Sequence, residues 1–389
     1  MIKNTHATSK ANQDSQLEIY LKICGSRLIM CALLLTTIGL IMVYAASAMK
    51  GLQQFGDAFI FIRKQFLVAM VGFGCVWLLG NISEKHLRFL TLPLLISSFG
   101  LLSLILIPGV YKMGGGAARW VNLAGIRFQP SEIAKLALVF FLAKNLARPD
   151  FSIDDFKKGI APNLAVFGFL ATFMMLQPDF GSTVLMGSVM VGMLFVSGLN
   201  IRYIALCAGA AFSAVVGAII VAPYRMARLT SFLDPWSEIR GGGFQIIQSY
   251  LAFQNGSFAG VGLGESKQKL FFLPEAHTDF ILAVIGEEFG FLGLALVISL
   301  FSFFVFCGFR ISVAQKTHFC RNLGFGMTML IGIQATINMC VAMGMLPTKG
   351  IPLPFISSGA SSLLVSLIAT GVLWRLSRQA HFEFNSKSV

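Results

Sequence analysis

Apolar residues along the chain run continuously for about 20 positions at a time, each run closed by charged residues, glycine or proline. Ten such runs stand at 28–48, 64–81, 89–110, 131–147, 160–177, 181–198, 203–222, 279–309, 323–346 and 355–376. A β-barrel would alternate apolar and polar positions over short strands, and these runs do not alternate. The pattern predicts an all-α polytopic membrane protein with ten transmembrane helices. It forms a single membrane domain over 28–376, between an N-terminal tail (1–27) and a C-terminal tail (377–389). Residues 1–20 are polar and carry no small-residue cleavage site, so the first apolar run is expected to stay as a helix. No repeat of 20 to 50 residues and no matched pair of interrupted helices appears, which weakens an inverted-repeat transporter.

Composition sharpens this reading. Of 389 residues, 56% are hydrophobic and only 12% charged, with a mean hydropathy of +0.77. A soluble domain carries about 25% charged residues, so an aqueous enzyme is excluded. The net charge of +13 does not imply nucleic acid, because the basic residues are scattered through short connections with no aromatic-basic module. Placing both termini on one side puts 17 basic residues there and 12 opposite, five of the 12 in the long connection 223–278, where charge steers topology least. Both termini are therefore expected to be cytoplasmic. The long loop between the seventh and eighth helices is then extracytoplasmic. The seven cysteines (Cys24, Cys31, Cys75, Cys207, Cys307, Cys320, Cys340) are odd in number and lack metal-ligand spacing, so neither a disulfide framework nor a structural zinc is expected.

Charges are costly inside a bilayer, so acidic residues in or beside spans are the best pointers to chemistry. They are Glu132, Asp179, Asp279, Glu287 and Glu288. Glu132 and Lys135 share a helix face and form either an internal ion pair or a partner for substrate phosphate. Asp179, after Gln177-Pro178, reads as a turn residue and helix N-cap. In Leu273-Pro274-Glu275-Ala276-His277-Thr278-Asp279-Phe280, Thr278 is a plausible N-cap. Asp279 then falls in the first turn of the eighth span, suited to accept a proton, with His277 beside it as a further substrate contact. Glu287 and Glu288 lie about 12–14 Å further along that helix, facing a polar cavity or a partner in the bundle.

The first outer loop, 111–130, brings Gly114-Gly115-Gly116 with Arg119 for phosphate and Trp120, either a sugar-stacking face or an interfacial anchor. Lys267, Lys269 and Lys349 add cations on the same side. The long loop carries Asp234-Pro235-Trp236, a Gly241–Gly243 hinge and a glycine-rich stretch from Gly256 to Gly264. Carboxylate, aromatic and basic groups beside a membrane suit an amphiphile with an apolar tail, a phosphate linker and a sugar head.

These residues are also where the chain resembles the SEDS family (shape, elongation, division and sporulation). The matching segments are Ala118-Arg119-Trp120, Phe128-Gln129-Pro130-Ser131-Glu132 through Lys135, Gln177 to Gly181, Phe232 to Trp236, Gly262-Leu263-Gly264 with Ser266-Lys267-Gln268-Lys269, Leu273 to Phe280, Glu287-Glu288, and Leu346 to Gly350 with Leu353-Pro354-Phe355. The Asp-Pro-Trp, Ser-Lys-Gln-Lys and Leu-Pro-Thr-Lys-Gly forms are similar to the division branch.

The resemblance implies a peptidoglycan glycosyltransferase that polymerises lipid II, paired with a class B penicillin-binding protein among other division proteins. It also implies residence in the cytoplasmic membrane and enrichment at the septum. On it, Asp279 is the essential carboxylate, acting as general base, and Trp120 the important outer-loop aromatic. Basic side chains and a divalent cation (Mg or Mn), at a site the sequence does not mark, would stabilise the pyrophosphate leaving group. One departure is Ser357-Ser358-Gly359-Ala360-Ser361-Ser362, where the family reads Ser-Tyr-Gly-Gly-Ser-Ser. Two rivals are a lipid II flippase using Glu132, Lys135, Glu287 and Glu288, and a non-catalytic division scaffold.

Overall fold

The computed structural model describes residues 2–104, 111–114, 117–123, 126–151, 155–200, 223–239, 241–269 and 273–385, together with 202, 203, 205, 209 and 217. Its helices are α1 (Ile2–Phe55), α2 (Ile60–Leu79), α3 (Glu84–Ser103), α4 (Pro130–Asn145), α5 (Ala161–Leu176), α6 (Phe180–Val196), α7 (Pro223–Leu233), α8 (Phe244–Gly256), α9 (Ile281–Val313), α10 (His318–Ala342) and α11 (Ala360–Asn385). Nine of the ten apolar runs coincide with helices, and the seventh, 203–222, lies almost wholly outside the described residues. Among the described residues, seven helical segments are long and apolar enough to cross a membrane, and α6 is a shorter apolar helix. Polar breaks mark the ends: Pro130 follows an extended Gln129 at the start of α4, and the Asp179 side chain caps α6.

α1 packs on α2, α9 and α11, while α10 bridges α9 to α4 and α6. The core between them is aliphatic and aromatic, with Leu28, Leu35, Phe304, Phe319 and Phe355 fully enclosed. Six of the seven cysteines are described and all six are free thiols; Cys207 lies outside the described residues.

The chain is predominantly helical, as expected, with one addition. The first outer loop folds into a three-stranded antiparallel sheet, β1 (Tyr111–Gly114), β2 (Ala117–Leu123) and β3 (Ile126–Phe128), ordered β1-β2-β3. Lys112 pairs with Trp120, and Val121 with both Tyr111 and Phe128. Strands of three to seven residues between glycines fall below the window in which alternation is readable.

The long loop is also more ordered than a hinge implies. α7, a 3₁₀ turn at Pro235–Glu238 and α8 fill it, and a Cβ at Gly243 would strike the Pro235 carbonyl. The triple glycine is thus a site of close packing. Likewise, the Gly256–Gly264 stretch lies directly against α9, which is broken at Gly290 (φ 61°, ψ −155°).

Candidate active site

A cavity of about 410 Å³ opens where Trp120 of β2, the starts of α4 and α8, the turn before α9, and the segment 348–362 that leads into α11 meet. Asp279 lines it, half-buried, with Glu275, Thr278, Gln129, Gln245, Lys349 and Ser362 also on its wall. Asp279 stands two residues ahead of α9 rather than inside its first turn, and Thr278 does not cap the helix. The Thr278 hydroxyl instead donates back to the Glu275 carboxylate (2.9 Å), because Glu275 takes a left-handed conformation (φ 55°) that turns the chain on itself.

Asn338 of α10 fixes the backbone here, donating from Nδ2 to the carbonyls of both Asp279 (2.9 Å) and Ile351 (2.7 Å). The serine segment that departs from the family pattern completes the frame. Ser357 Oγ donates to the Thr278 carbonyl (2.6 Å), and the Ser358 amide donates to the His277 carbonyl (2.9 Å). Those hydroxyl and main-chain bonds hold the turn without a tyrosine.

Of the expected substrate contacts, Trp120 and Lys349 share the cavity with Asp279, and the Lys349 ammonium lies 4.2 Å from the centre of the Phe180 ring. The side chain of Arg119 lies outside the described residues. Lys267 and Lys269 do not line the cavity. Lys267 is exposed, and Lys269 pairs with Glu288 at 2.9 Å while donating to the Gly264 carbonyl.

His277, expected as a substrate contact, does not line the cavity; it is buried, its ring edge-on to Phe61 at 5.3 Å. Burial, aided by the Lys50 ammonium and opposed by Glu275, pushes its pKa from the ordinary 6.5 down to about 4. The unfolded chain therefore holds one more proton here between about pH 6.5 and 4. Stability gained from the neutral ring is complete above about 6.5 and is lost as pH falls toward 4. His277→Phe is expected to flatten that acid-side loss in thermal unfolding scans at about pH 7 and about pH 5.

The remaining acidic residues divide into separate networks. Glu132 and Lys135 form a fully buried ion pair (2.8 Å), and Lys135 also donates to Gln334 Oε1 (2.7 Å). Gln334 in turn donates to the Pro352 carbonyl and Ser362 Oγ, both at the cavity wall. Asp179 accepts from Gln129 Nε2 (3.1 Å) besides capping α6, so it braces another wall residue. Glu287 and Glu288 instead bind the long loop and, among the described residues, share no hydrogen-bond partner with Glu132 or Lys135. Among the described residues, no direct hydrogen bond joins the two sets.

Among the described residues, no group of three or more His, Cys, Asp or Glu stands ready to hold a metal. The wall does offer two carboxylates, Glu275 and Asp279, and Mg²⁺ commonly takes one or two carboxylates together with substrate phosphates. The donor set therefore suits a hard cation that arrives with a phosphorylated substrate.

Residues 26–381 match the model of a family of cell cycle proteins, FTSW_RODA_SPOVE. The chain belongs to the FtsW/RodA/SpoVE family. It is 42% identical to the probable peptidoglycan glycosyltransferase FtsW of Geobacter sp. (strain M18), over 90% of this chain and 95% of that protein. Stage V sporulation protein E of Bacillus subtilis (strain 168) is 40% identical over 91% of this chain and 97% of its own length.

Among solved structures, a chain from a peptidoglycan synthase complex that coordinates polymerization and crosslinking superposes with a TM-score of 0.74. It is 28% identical and covers 91% of this chain and 98% of its own. The rod shape determining protein RodA of Thermus thermophilus shares the fold, with a TM-score of 0.66 at 23% identity over 91% of this chain and 96% of that one.

Several residues that line or brace the cavity stand outside the motifs read from the sequence. Gln334 and Asn338, four apart on α10, are readable as two amides on one helix face. Gln245 lies two residues beyond the triple glycine, and nothing in its local pattern marks it.

Proposed function

We propose that this multi-pass membrane protein is a peptidoglycan glycosyltransferase that polymerises lipid II during septal wall synthesis, with Asp279 as general base. One observation carries the reading: a half-buried carboxylate shares a cavity of about 410 Å³ with an aromatic face, Trp120, and a cation, Lys349. The 4-hydroxyl of the acceptor sugar attacks the anomeric carbon of the donor chain. The new glycosidic bond forms as the bond to the undecaprenyl pyrophosphate breaks. The hydroxyl proton passes to Asp279, and the bonding pair leaves with the pyrophosphate. Lys349 supplies positive charge for that leaving group, and Trp120 offers a flat face for a sugar ring. A divalent cation, held by Glu275 together with the substrate phosphates when bound, would add Lewis-acid stabilisation of the phosphates.

Ten spans, both termini in the cytoplasm and the cavity on the outer face belong to the same reading. They are supported by the basic bias of the connections. A class B penicillin-binding protein would crosslink the product within a larger set of division proteins. The test is polymerisation of lipid II by the purified protein with such a partner. Trp120→Ala is expected to raise KM for lipid II roughly tenfold, with a smaller change in kcat, the mark of lost uniform binding. An unchanged KM would remove Trp120 from the sugar site.

A further inference from the structure

Asp279 leads directly into the outer piece of α9, residues 281–289, and that piece is not continuous with the rest of the helix. In an unbroken helix the carbonyls of Glu287 and Glu288 would accept from the amides of Phe291 and Leu292. Here both bonds are exchanged for bonds to the 257–262 loop. The Val261 and Gly262 amides donate to Glu287 and Glu288 (3.0 Å each), and the Phe291 and Leu292 amides donate to Ser257 (3.0 Å) and Phe258 (3.3 Å).

The fit is close on both sides. A Cβ at Gly290 would meet the Phe258 carbonyl and the Gly260 amide, and one at Gly260 would strike the Glu288 carbonyl. The loop, not the helix's own ladder, therefore joins 281–289 to the remainder of α9.

The side chains of the same two glutamates secure the loop. Glu287, 1% exposed, accepts from the Ser266 hydroxyl, Asn255 Nδ2 (3.2 Å) and the amides of Lys267 and Gln268 (3.3 Å each). Every donor is neutral, so the carboxylate acts as a hub that gathers three consecutive loop residues and the end of α8. Glu288 adds the ion pair to Lys269. At the other end, Asn338 holds the Asp279 carbonyl. The segment carrying the carboxylate is thus pinned at its two ends by side chains.

We propose that Glu287, through the 257–269 loop and with the Glu288–Lys269 pair, is a positioning residue that sets where Asp279 stands in the cavity. The inference rests on the general-base role proposed above. It accounts for two buried carboxylates that the chemistry itself does not use, and for the Ser266-Lys267-Gln268-Lys269 sequence as a docking element rather than a phosphate site.

The test is steady-state polymerisation of lipid II by the full chain with its crosslinking partner, comparing the parent, Glu287→Ala, Glu288→Lys, Lys269→Glu, the last two combined, and Asp279→Asn. A displaced base loses turnover rather than substrate affinity. Glu287→Ala is therefore expected to lower kcat roughly 10- to 100-fold with KM within about twofold of the parent. Each charge reversal alone should lower kcat, and the exchanged pair should recover it to within about threefold. A Glu287→Ala protein with parental kcat, or with its loss confined to KM, overturns the proposal. Where Glu287→Ala does not fold, the exchanged pair decides: recovery supports the proposal, and a folded exchanged pair without recovery overturns it. Asp279→Asn separates the two readings. Retained activity there defeats the general-base role itself, whereas an inactive Asp279→Asn beside a normal Glu287→Ala defeats only the positioning role.

Discussion

Asp279→Asn is expected to lower the turnover of lipid II by about 10² to 10⁴, the usual worth of a positioned general base. That range corresponds to about 2.7–5.4 kcal/mol of transition-state stabilisation. The substitution is nearly isosteric, and the bond from Asn338 reaches the main-chain carbonyl of residue 279, which asparagine retains. The turn braced by Ser357 and Ser358 is also unchanged, so insertion and folding should persist. What is lost is the ability to take the acceptor's proton. KM should move little, because Trp120, Lys349 and the polar wall remain. The check is a steady-state assay in which kcat and KM are resolved, with thermal unfolding of the same preparations to establish that the asparagine protein is folded. A loss confined to KM would make Asp279 a binding group.

Lys135→Met is expected to be the most destabilising single change in the membrane core. Lys135 is 1% exposed, bonded to Glu132 and Gln334, and one Glu132 oxygen, Oε2, has no partner among the described residues. Removing the ammonium leaves a carboxylate enclosed without compensation, which costs about 3–5 kcal/mol. Replacing both members by apolar residues of similar volume should recover most of that, since the desolvation of both charges disappears together. Activity should follow a different pattern. Gln334 holds Pro352 and Ser362 at the cavity wall, and without Lys135 it loses the donor that orients its amide. The apolar pair is therefore expected to unfold near the parental temperature and still polymerise more slowly. Unfolding in detergent by temperature or denaturant, set beside the polymerisation rate, measures both effects.

The helices were legible because their signal is long. A run of 20 apolar residues admits few alternatives, and α2, α4, α5 and α6 begin and end within about four residues of the predicted limits. The sheet was not legible, because β1 and β3 have only four and three residues and Trp120 reads equally well as an interfacial anchor. Asp279 could be found by its rarity as a carboxylate at the rim of a span.

Its neighbours were harder for a physical reason: proximity in the fold is not proximity in the chain. His277, two residues away, is turned into the bundle against Phe61, while Lys349, 70 positions distant, faces the same cavity. Lys267 and Lys269 looked like phosphate donors because a lysine in a glycine-rich outer loop is usually solvated. The structure instead commits Lys269 to Glu288, a pairing that depends on the break at Gly290. An isolated positive-φ glycine within an apolar run carries no local mark of such a break.

The enzyme reading, the flippase and the scaffold make different demands on one residue, so a single preparation separates them. The protein and its crosslinking partner, reconstituted in vesicles with lipid II, are assayed for glycan strand length and for transbilayer movement of lipid II, parent against Asp279→Asn. The account predicts strands from the parent and none beyond background from the asparagine protein. Strands of equal length and yield from both would contradict it.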